Sequence, residues 1–253
     1  MMEGITTGYE ERFDFPTHFG PPRTTYLLAS VPRSGSTWLS HVLWATGCLG
    51  APLEYVNFEP GGPYGFAAND AAKQTALWRR AMATRTSPNG VFGLKTFPAQ
   101  LHHVQQDNPA LVDEVMRFML GNQSDRKVVQ LRRSNRDAHA ISYARAMLRG
   151  IWRAEQEEQG GATEPEYSAL AVERAAHLID LQERAWQDMC RDLRIEPLLL
   201  WFEDAVADPA GVAGQVADYL GVALDPSARV YVPAIRQQSR EGARIWAEQH
   251  AAR

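Results

Sequence analysis

Residues 26–47 read YLLASVPRSGSTWLSHVLWATG. The stretch opens on a nearly continuous apolar run, residues 26–31, which suits a strand buried on both faces. Pro32 cannot donate to a sheet ladder, so the strand should stop there. From Trp38 onward the apolar residues Leu39, Val42 and Leu43 fall at helical spacing, and Gly47 suits the position just past a helix end. The six residues between, PRSGST, therefore form a turn that feeds a helix N-terminus. Backbone N–H groups are unpaired there and the helix dipole favours an anion. Gly35 lets the backbone approach a ligand closely. Ser34, Ser36 and Thr37 add hydroxyl donors, and Arg33 adds a planar, permanently charged fork. An ordinary capped crossover helix needs fewer such groups, and the pattern points to a bound phosphate or sulfate. The turn is not a Walker A loop, because Ser36 occupies the lysine position.

Working outward, short apolar strands alternate with helical segments. Strands are expected at residues 91–95, 127–131 and 197–202. Helices are expected at about 68–85, 108–121, 135–148 and 167–193, over the DPAGVAGQVADYLG segment that starts at Asp208, and at the C-terminus. Asn108 and Asp208 read as N-caps, each followed by a proline at the first helical position. The alternation predicts an α/β fold, a three-layer P-loop-like arrangement with a central parallel sheet of about four to five strands flanked by helices. No repeat or linker divides the chain, so residues 1–253 are expected to form a single domain. Residues 1–23 read as a loose leader, and 155–166, acidic and glycine-containing, as a mobile loop.

The chain has 253 residues, 26 Lys plus Arg and 30 Asp plus Glu, for a formal net charge of −4. That balance gives no general support for nucleic-acid or anionic-membrane binding. Two cysteines make neither a disulfide framework nor a zinc site, and no two histidines stand at i, i+4 beside a glutamate. No metal is expected. No apolar run reaches the roughly 20 residues of a membrane span, and the N-terminus lacks a signal-like apolar core. A cytoplasmic location follows as an expectation. The NQS triplet at Asn122 matches a glycosylation sequon, which has no meaning without secretion.

A second anion-binding candidate follows the third strand, in LRRSNRDAHAISYARA. Arg132 and Arg133 sit at the strand's C-terminal end, where α/β sheets bind ligands, and Ser142 lies in the next helix. Taken alone, this could equally be a solvated Arg-Arg turn.

Together the two stretches resemble the sulfotransferases that use 3′-phosphoadenosine 5′-phosphosulfate (PAPS), and more closely their bacterial carbohydrate branch, typified by trehalose 2-sulfotransferase. The likeness rests on PRSGSTWLSHVLWATGCLGAPLEY (32–55), GVFGLK (90–95), LRR with AIS, RGIWRAE, ERAWQ, EPLLLWFEDAVADP (196–209) and IRQQ (235–238), in the same order from about residue 25 to 240. The resemblance implies transfer of a sulfuryl group from PAPS to a hydroxyl of a carbohydrate, glycolipid or natural product, leaving adenosine 3′,5′-bisphosphate. It implies that Arg33, Ser34, Gly35, Ser36 and Thr37 hold the 5′-phosphosulfate. Arg133, with Arg132 as the alternative, and Ser142 would hold the 3′-phosphate. Glu54, which by position alone reads better as a solvated loop carboxylate, is implied by the resemblance to be the general base. Arg33 would offset charge on the departing phosphate, with Lys95 as a second candidate. A small-molecule hydroxyl acceptor is the expected partner, and a homodimer is left open.

The chain also departs from its relatives. Animal cytosolic members place a histidine base where this chain has Phe97, and the bacterial branch usually has an acidic residue at Asn135. Aromatic residues Phe58, Tyr64, Phe66 and Trp78 could line an acceptor site or belong to the local core. Two other functions remain at this point: a non-enzymatic nucleotide binder, and an ATP-dependent P-loop phosphotransferase, which the missing Walker lysine disfavours.

Overall fold

The computed structural model describes residues 6–121, 125–152, 156, 163–235 and 240–252. Strand β1 (Thr24–Ala29) leads through the PRSGST turn into α1 (Ser36–Ala45). Helix α2 (Ala71–Thr84) precedes β2 (Val91–Thr96), which is followed by α3 (Pro98–Asp107) and α4 (Pro109–Leu120). Then come β3 (Val128–Arg132), α5 (Arg136–Arg149) and the long α6 (Ala169–Asp192). Strand β4 (Leu198–Trp201) runs directly into α7 (Phe202–Ala207), and α8 (Pro209–Leu220) and α9 (Arg240–Ala251) complete the described elements.

The four described strands form one parallel sheet in the order β2-β1-β3-β4. Burial on both faces explains the apolar runs. Leu27 and Ala29 of β1 face a core containing Phe92, Leu94, Val128 and Trp186, while Tyr26 and Leu28 face one containing Leu39, Leu43, Val129 and Val216. The chain steps from β1 to β2 on one side and then crosses back to β3 on the other. The carboxyl ends of β1 and β3 therefore border a topological switch point, the usual place for a ligand in an open α/β sheet.

Caps set the helix boundaries. Asp70, Asn108, Asn135, Ser168 and Asp208 each accept a backbone N–H in the first turn of the helix that follows. Asn135 thereby does the capping work that an aspartate would do at the same place. The expected elements fall within a few residues of the observed ones. Helices α3 and α7 are additions. Helix α3 opens on Pro98, and the Gln100 side chain accepts the Phe97 N–H.

The expectation of a loose leader fails for residues 6–23. Tyr9, Phe13 and Phe15 are buried in the main core. The Arg85 guanidinium, itself buried, donates to the carbonyls of Gly8 and Glu10 at 2.8 and 3.1 Å and ion-pairs with Asp14 at 2.9 Å. Proline and charge gave this segment a linker-like composition, but its three aromatic rings anchor it. Asn122 and most of 155–166 lie outside the described residues. Near the end of that span, Glu164 pairs with Arg145 at 2.6 Å. Among the described residues, no helix is long and apolar enough to cross a membrane.

Candidate active site

The turn after β1 is built for close approach. Arg33 has φ 68° and Gly35 φ 90°, both left-handed. A Cβ on Gly35 would stand 2.1 Å from the Phe202 ring, so both the backbone angle and the space require glycine. Arg33 is not glycine, and its backbone conformation costs of order 1–3 kcal/mol unless the surroundings hold it. They do. Its Nε donates to Ser142 Oγ at 3.1 Å and a terminal nitrogen donates to the Trp152 carbonyl at 2.7 Å. The fully buried His139 donates from Nε2 to the Pro32 carbonyl at 2.9 Å. Burial, and to a smaller degree the nearby Arg133 and Arg136 charges, lower its imidazole pKa to about 4, against the Pro32 contact, which raises it. It is therefore neutral at pH 7, and the contact to the carbonyl assigns the proton to Nε2.

Ser34 is sealed from solvent, and among the described residues its Oγ has no hydrogen-bond partner. A buried hydroxyl without a partner is costly in a finished core. Here it sits beside the first turn of α1, whose N–H groups lie outside the helical ladder. Thr37 Oγ1 accepts from Lys95 Nζ at 2.9 Å. Hydroxyls, an ammonium and a helix N-terminus thus meet at one cradle, from which the Arg33 guanidinium reaches to Ser142, and this donor set fits a phosphosulfate.

Glu54 reaches this cradle because of a short strand-like contact. Leu53 bridges Leu94 in parallel, and the Lys95 N–H donates to the Leu53 carbonyl at 3.1 Å, which lays the APLEY segment along the edge of β2. The Glu54 N–H donates to the Tyr9 hydroxyl at 2.9 Å, so the leader also supports it. Lys95 Nζ lies 2.7 Å from Glu54 Oε1, and Oε2 accepts from Asn57 at 2.7 Å and from Gln100 at 2.6 Å. Glu54 is buried rather than solvated. Lys95, read as an alternative to Arg33, touches both the anion loop and the carboxylate.

The two consecutive arginines after β3 diverge. Arg132 lies over the Trp201 ring and ion-pairs with Glu183 of α6. Arg133 turns the other way. Its guanidinium stands 5.2 Å from the Phe202 ring centroid, a terminal nitrogen lies 3.4 Å from the Arg33 carbonyl oxygen, and Nε is 3.7 Å from Glu203. Burial is the main influence on Arg133 and lowers its pKa from the usual arginine value. Only Arg133 of the pair faces the β1 loop, and Arg33 links that loop to Ser142. The two anion-binding stretches read from the sequence are therefore contiguous.

Phe58 and Trp78 belong to the core, Tyr64 packs against it, and Phe66 is exposed. His103 pairs with Asp107 on its own helix at 3.6 Å. Sequence reasoning did not single out Asn57, Gln100, His139, Phe202 or Glu203. Asn57 meets Glu54 only three residues away, while the contacts of the other four join segments far apart in the chain, and no local spacing signals those. Among the described residues, no group of three or more His, Cys, Asp or Glu is arranged to hold a metal.

Residues 25–253 match the Stf0 sulphotransferase family model. The trehalose 2-sulfotransferases of Mycobacterium tuberculosis (strain Erdman) and Mycolicibacterium smegmatis are each 26% identical to this chain, over 90% of it and 94% of their own length. Among solved structures, a sulfotransferase from Alicyclobacillus acidocaldarius covers 91% of this chain and 92% of its own at 17% identity, with a TM-score of 0.47. With 229 of 253 residues inside the family match, from 25 to 253, the chain belongs to the Stf0 sulfotransferase family.

Proposed function

We propose that the sulfuryl donor is PAPS, that the acceptor is a hydroxyl of a carbohydrate or a similar small molecule, and that Glu54 is the general base. The observation that carries this reading is the contiguity of the anion cradle and a buried carboxylate: Lys95 Nζ bonds Thr37 of the cradle and Glu54 at the same time. When PAPS is bound, it supplies the sulfur electrophile and a phosphate leaving group. Arg33, Ser34, Gly35, Ser36 and Thr37 would hold the phosphosulfate end, and Arg133 with Ser142 the 3′-phosphate. Arg132, committed to Glu183, is the weaker of the two arginines for that duty.

Chemistry of this kind is mostly positioning and charge neutralisation. Glu54 takes the acceptor's proton as the acceptor oxygen bonds to sulfur. Arg33, Lys95 and the first-turn N–H groups of α1 offset the negative charge that collects on the phosphate oxygen as its bond to sulfur breaks. Asn57 and Gln100 hold the carboxylate in place through Oε2. No metal is needed for any of these duties.

The whole chain acts as one catalytic domain in this reading. Cys48 and Cys190 are both buried free thiols, which supports a reducing, cytoplasmic setting. The two mycobacterial relatives make trehalose the first acceptor to test. Transfer from sulfur-35-labelled PAPS to a panel of trehalose, other disaccharides, glycolipids and polyols checks the proposal. Labelled product from at least one sugar, formed equally in the presence of a chelator, is expected. Strict magnesium dependence, or transfer of phosphate from ATP instead, would overturn it.

A further inference from the structure

The end of β4 carries two side chains that touch both anion-binding stretches. The Phe202 ring fills the space beside Gly35 and also underlies the Arg133 guanidinium, at 5.2 Å. Next to it, Glu203 accepts the N–H of Ser134 on Oε2 at 2.9 Å and the N–H of Asn135 on Oε1 at 3.2 Å, with Oε1 also 3.7 Å from Arg133 Nε. Register explains the meeting. Arg132 pairs with Trp201 across β3 and β4, so residues 133 and 202–203 leave the sheet side by side.

A carboxylate here is electrostatically adverse to a second anion, because it reduces the positive potential of the arginine beside it. Something must offset that disadvantage. Arg133 Nε is buried and makes no hydrogen bond among the described residues, so Glu203 supplies the counter-charge that keeps this edge of the guanidinium in place. The same carboxylate pins the turn that enters α5, the helix that carries Ser142. Burial tends to raise the Glu203 pKa, but the N–H donors of Ser134 and Asn135 outweigh it and the net shift is downward. It stays ionised at neutral pH.

We propose that Glu203 is a positioning residue for the 3′-phosphate end of the nucleotide site: it holds Arg133 over Phe202 and ties that arginine to the start of α5, so that Arg133 and Ser142 meet the same phosphate. The inference rests on the reading of Arg133 and Ser142 given above, and it makes a prediction of unusual sign. Removing a nearby negative charge should tighten the binding of an anion. Removing a positioning group should weaken it.

The test is calorimetric affinity of the full chain for adenosine 3′,5′-bisphosphate and for adenosine 5′-monophosphate, which lacks the 3′-phosphate. Glu203→Gln should weaken the bisphosphate about 3- to 10-fold and the monophosphate less than about 2-fold, a fraction of the roughly 10-fold or larger loss expected when Arg133→Ala removes a charge-assisted contact. Glu203→Asp, which keeps the charge on a shorter arm, should fall between wild type and Glu203→Gln. In an Arg133→Ala background, Glu203→Gln should have a smaller effect than in the wild type, because only its hold on the turn before Ser142 is left to lose. Tighter bisphosphate binding by Glu203→Gln, equal losses for both nucleotides, or an undiminished added loss in the Arg133→Ala background would each overturn the inference. If Arg133→Ala itself weakens both nucleotides alike, the 3′-phosphate reading falls and takes this inference with it. If Arg133→Ala is selective and Glu203→Gln is neutral, only the positioning role falls. Should Glu203→Gln not fold, Glu203→Asp carries the same test, and no selective loss there overturns the proposal.

Discussion

Lys95 and Glu54 form an ion pair at 2.7 Å in which the lysine side chain is wholly buried and the carboxylate is 9% exposed. Neither charge is stable there alone, since taking one ion out of water costs several kcal/mol without its partner. The pair exists because β2 brings Lys95 to the edge of the anion loop while the bridge from Leu53 to Leu94 brings Glu54 alongside. Folding thus couples the candidate base to the turn proposed to hold the phosphosulfate.

That coupling separates two effects of altering Glu54. Glu54→Gln keeps an oxygen for Lys95 and removes the basicity. Affinity for adenosine 3′,5′-bisphosphate should stay within a few-fold of wild type, while turnover falls by about 10²–10⁴, the usual contribution of a positioned general base. Binding calorimetry and the label-transfer rate with a competent acceptor measure the two arms. Unchanged turnover would remove Glu54 from the mechanism.

Removing Lys95 should act on stability as well as on binding. Lys95→Met fills similar space but leaves the Glu54 carboxylate buried without its cation. Breaking a buried pair in this way typically costs about 3–5 kcal/mol. Lys95→Met combined with Glu54→Gln should be less destabilised than the sum of the single variants, because neither charge is then stranded. Denaturant unfolding of the four proteins reads the coupling, and strict additivity would contradict it.

The paired arginines offer a control on the nucleotide site. Arg133→Ala should cost about 1.5–3 kcal/mol in affinity for adenosine 3′,5′-bisphosphate, with little loss for adenosine 5′-phosphosulfate, which has no 3′-phosphate. Arg132→Ala should not discriminate between the two ligands. It should instead lower stability by about 1–3 kcal/mol, because Glu183 is buried and would keep only Arg136 as a cation partner among the described residues. A larger selective loss for Arg132→Ala would exchange their roles.

Much of this arrangement was legible in the chain. The run at 26–31, the stop at Pro32 and the glycine-bearing turn are local signals, and they correctly gave a strand, a loop and a helix. Caps at Asn108 and Asp208 were equally local. Residues 6–23 were misread because composition reports average polarity and not what three aromatic rings can reach after folding. The residues that orient the site were invisible for a related reason. Gln100 meets Glu54 across 46 positions, Glu203 meets Ser134 across 69, and His139 meets Pro32 across 107. Each is an unremarkable polar residue in its own neighbourhood, and only the sheet order brings it to a partner. Arg132 and Arg133 show the opposite limit, since adjacent residues of one type point in opposite directions and spacing cannot separate them.

His139 gives the stability of this fold a pH dependence that can be assigned to one side chain. Burial lowers its pKa to about 4 from the ordinary histidine value of 6.5. Between those values the unfolded chain binds the proton and the folded one does not, so stability rises with pH across that window. The contribution is fully present above about pH 6.5 and is lost as pH falls towards 4. A shift of this size corresponds to about 3 kcal/mol. His139→Gln retains an N–H donor for the Pro32 carbonyl and has nothing to titrate. Its unfolding free energy should therefore fall less steeply than wild type between pH 6.5 and 4, and the gap between the two curves should be nearly constant above pH 7. Urea unfolding at half-unit pH intervals measures both curves. Parallel curves through the whole window would show that His139 keeps an ordinary pKa, and that its imidazole does not hold the Pro32 carbonyl in the neutral form argued here.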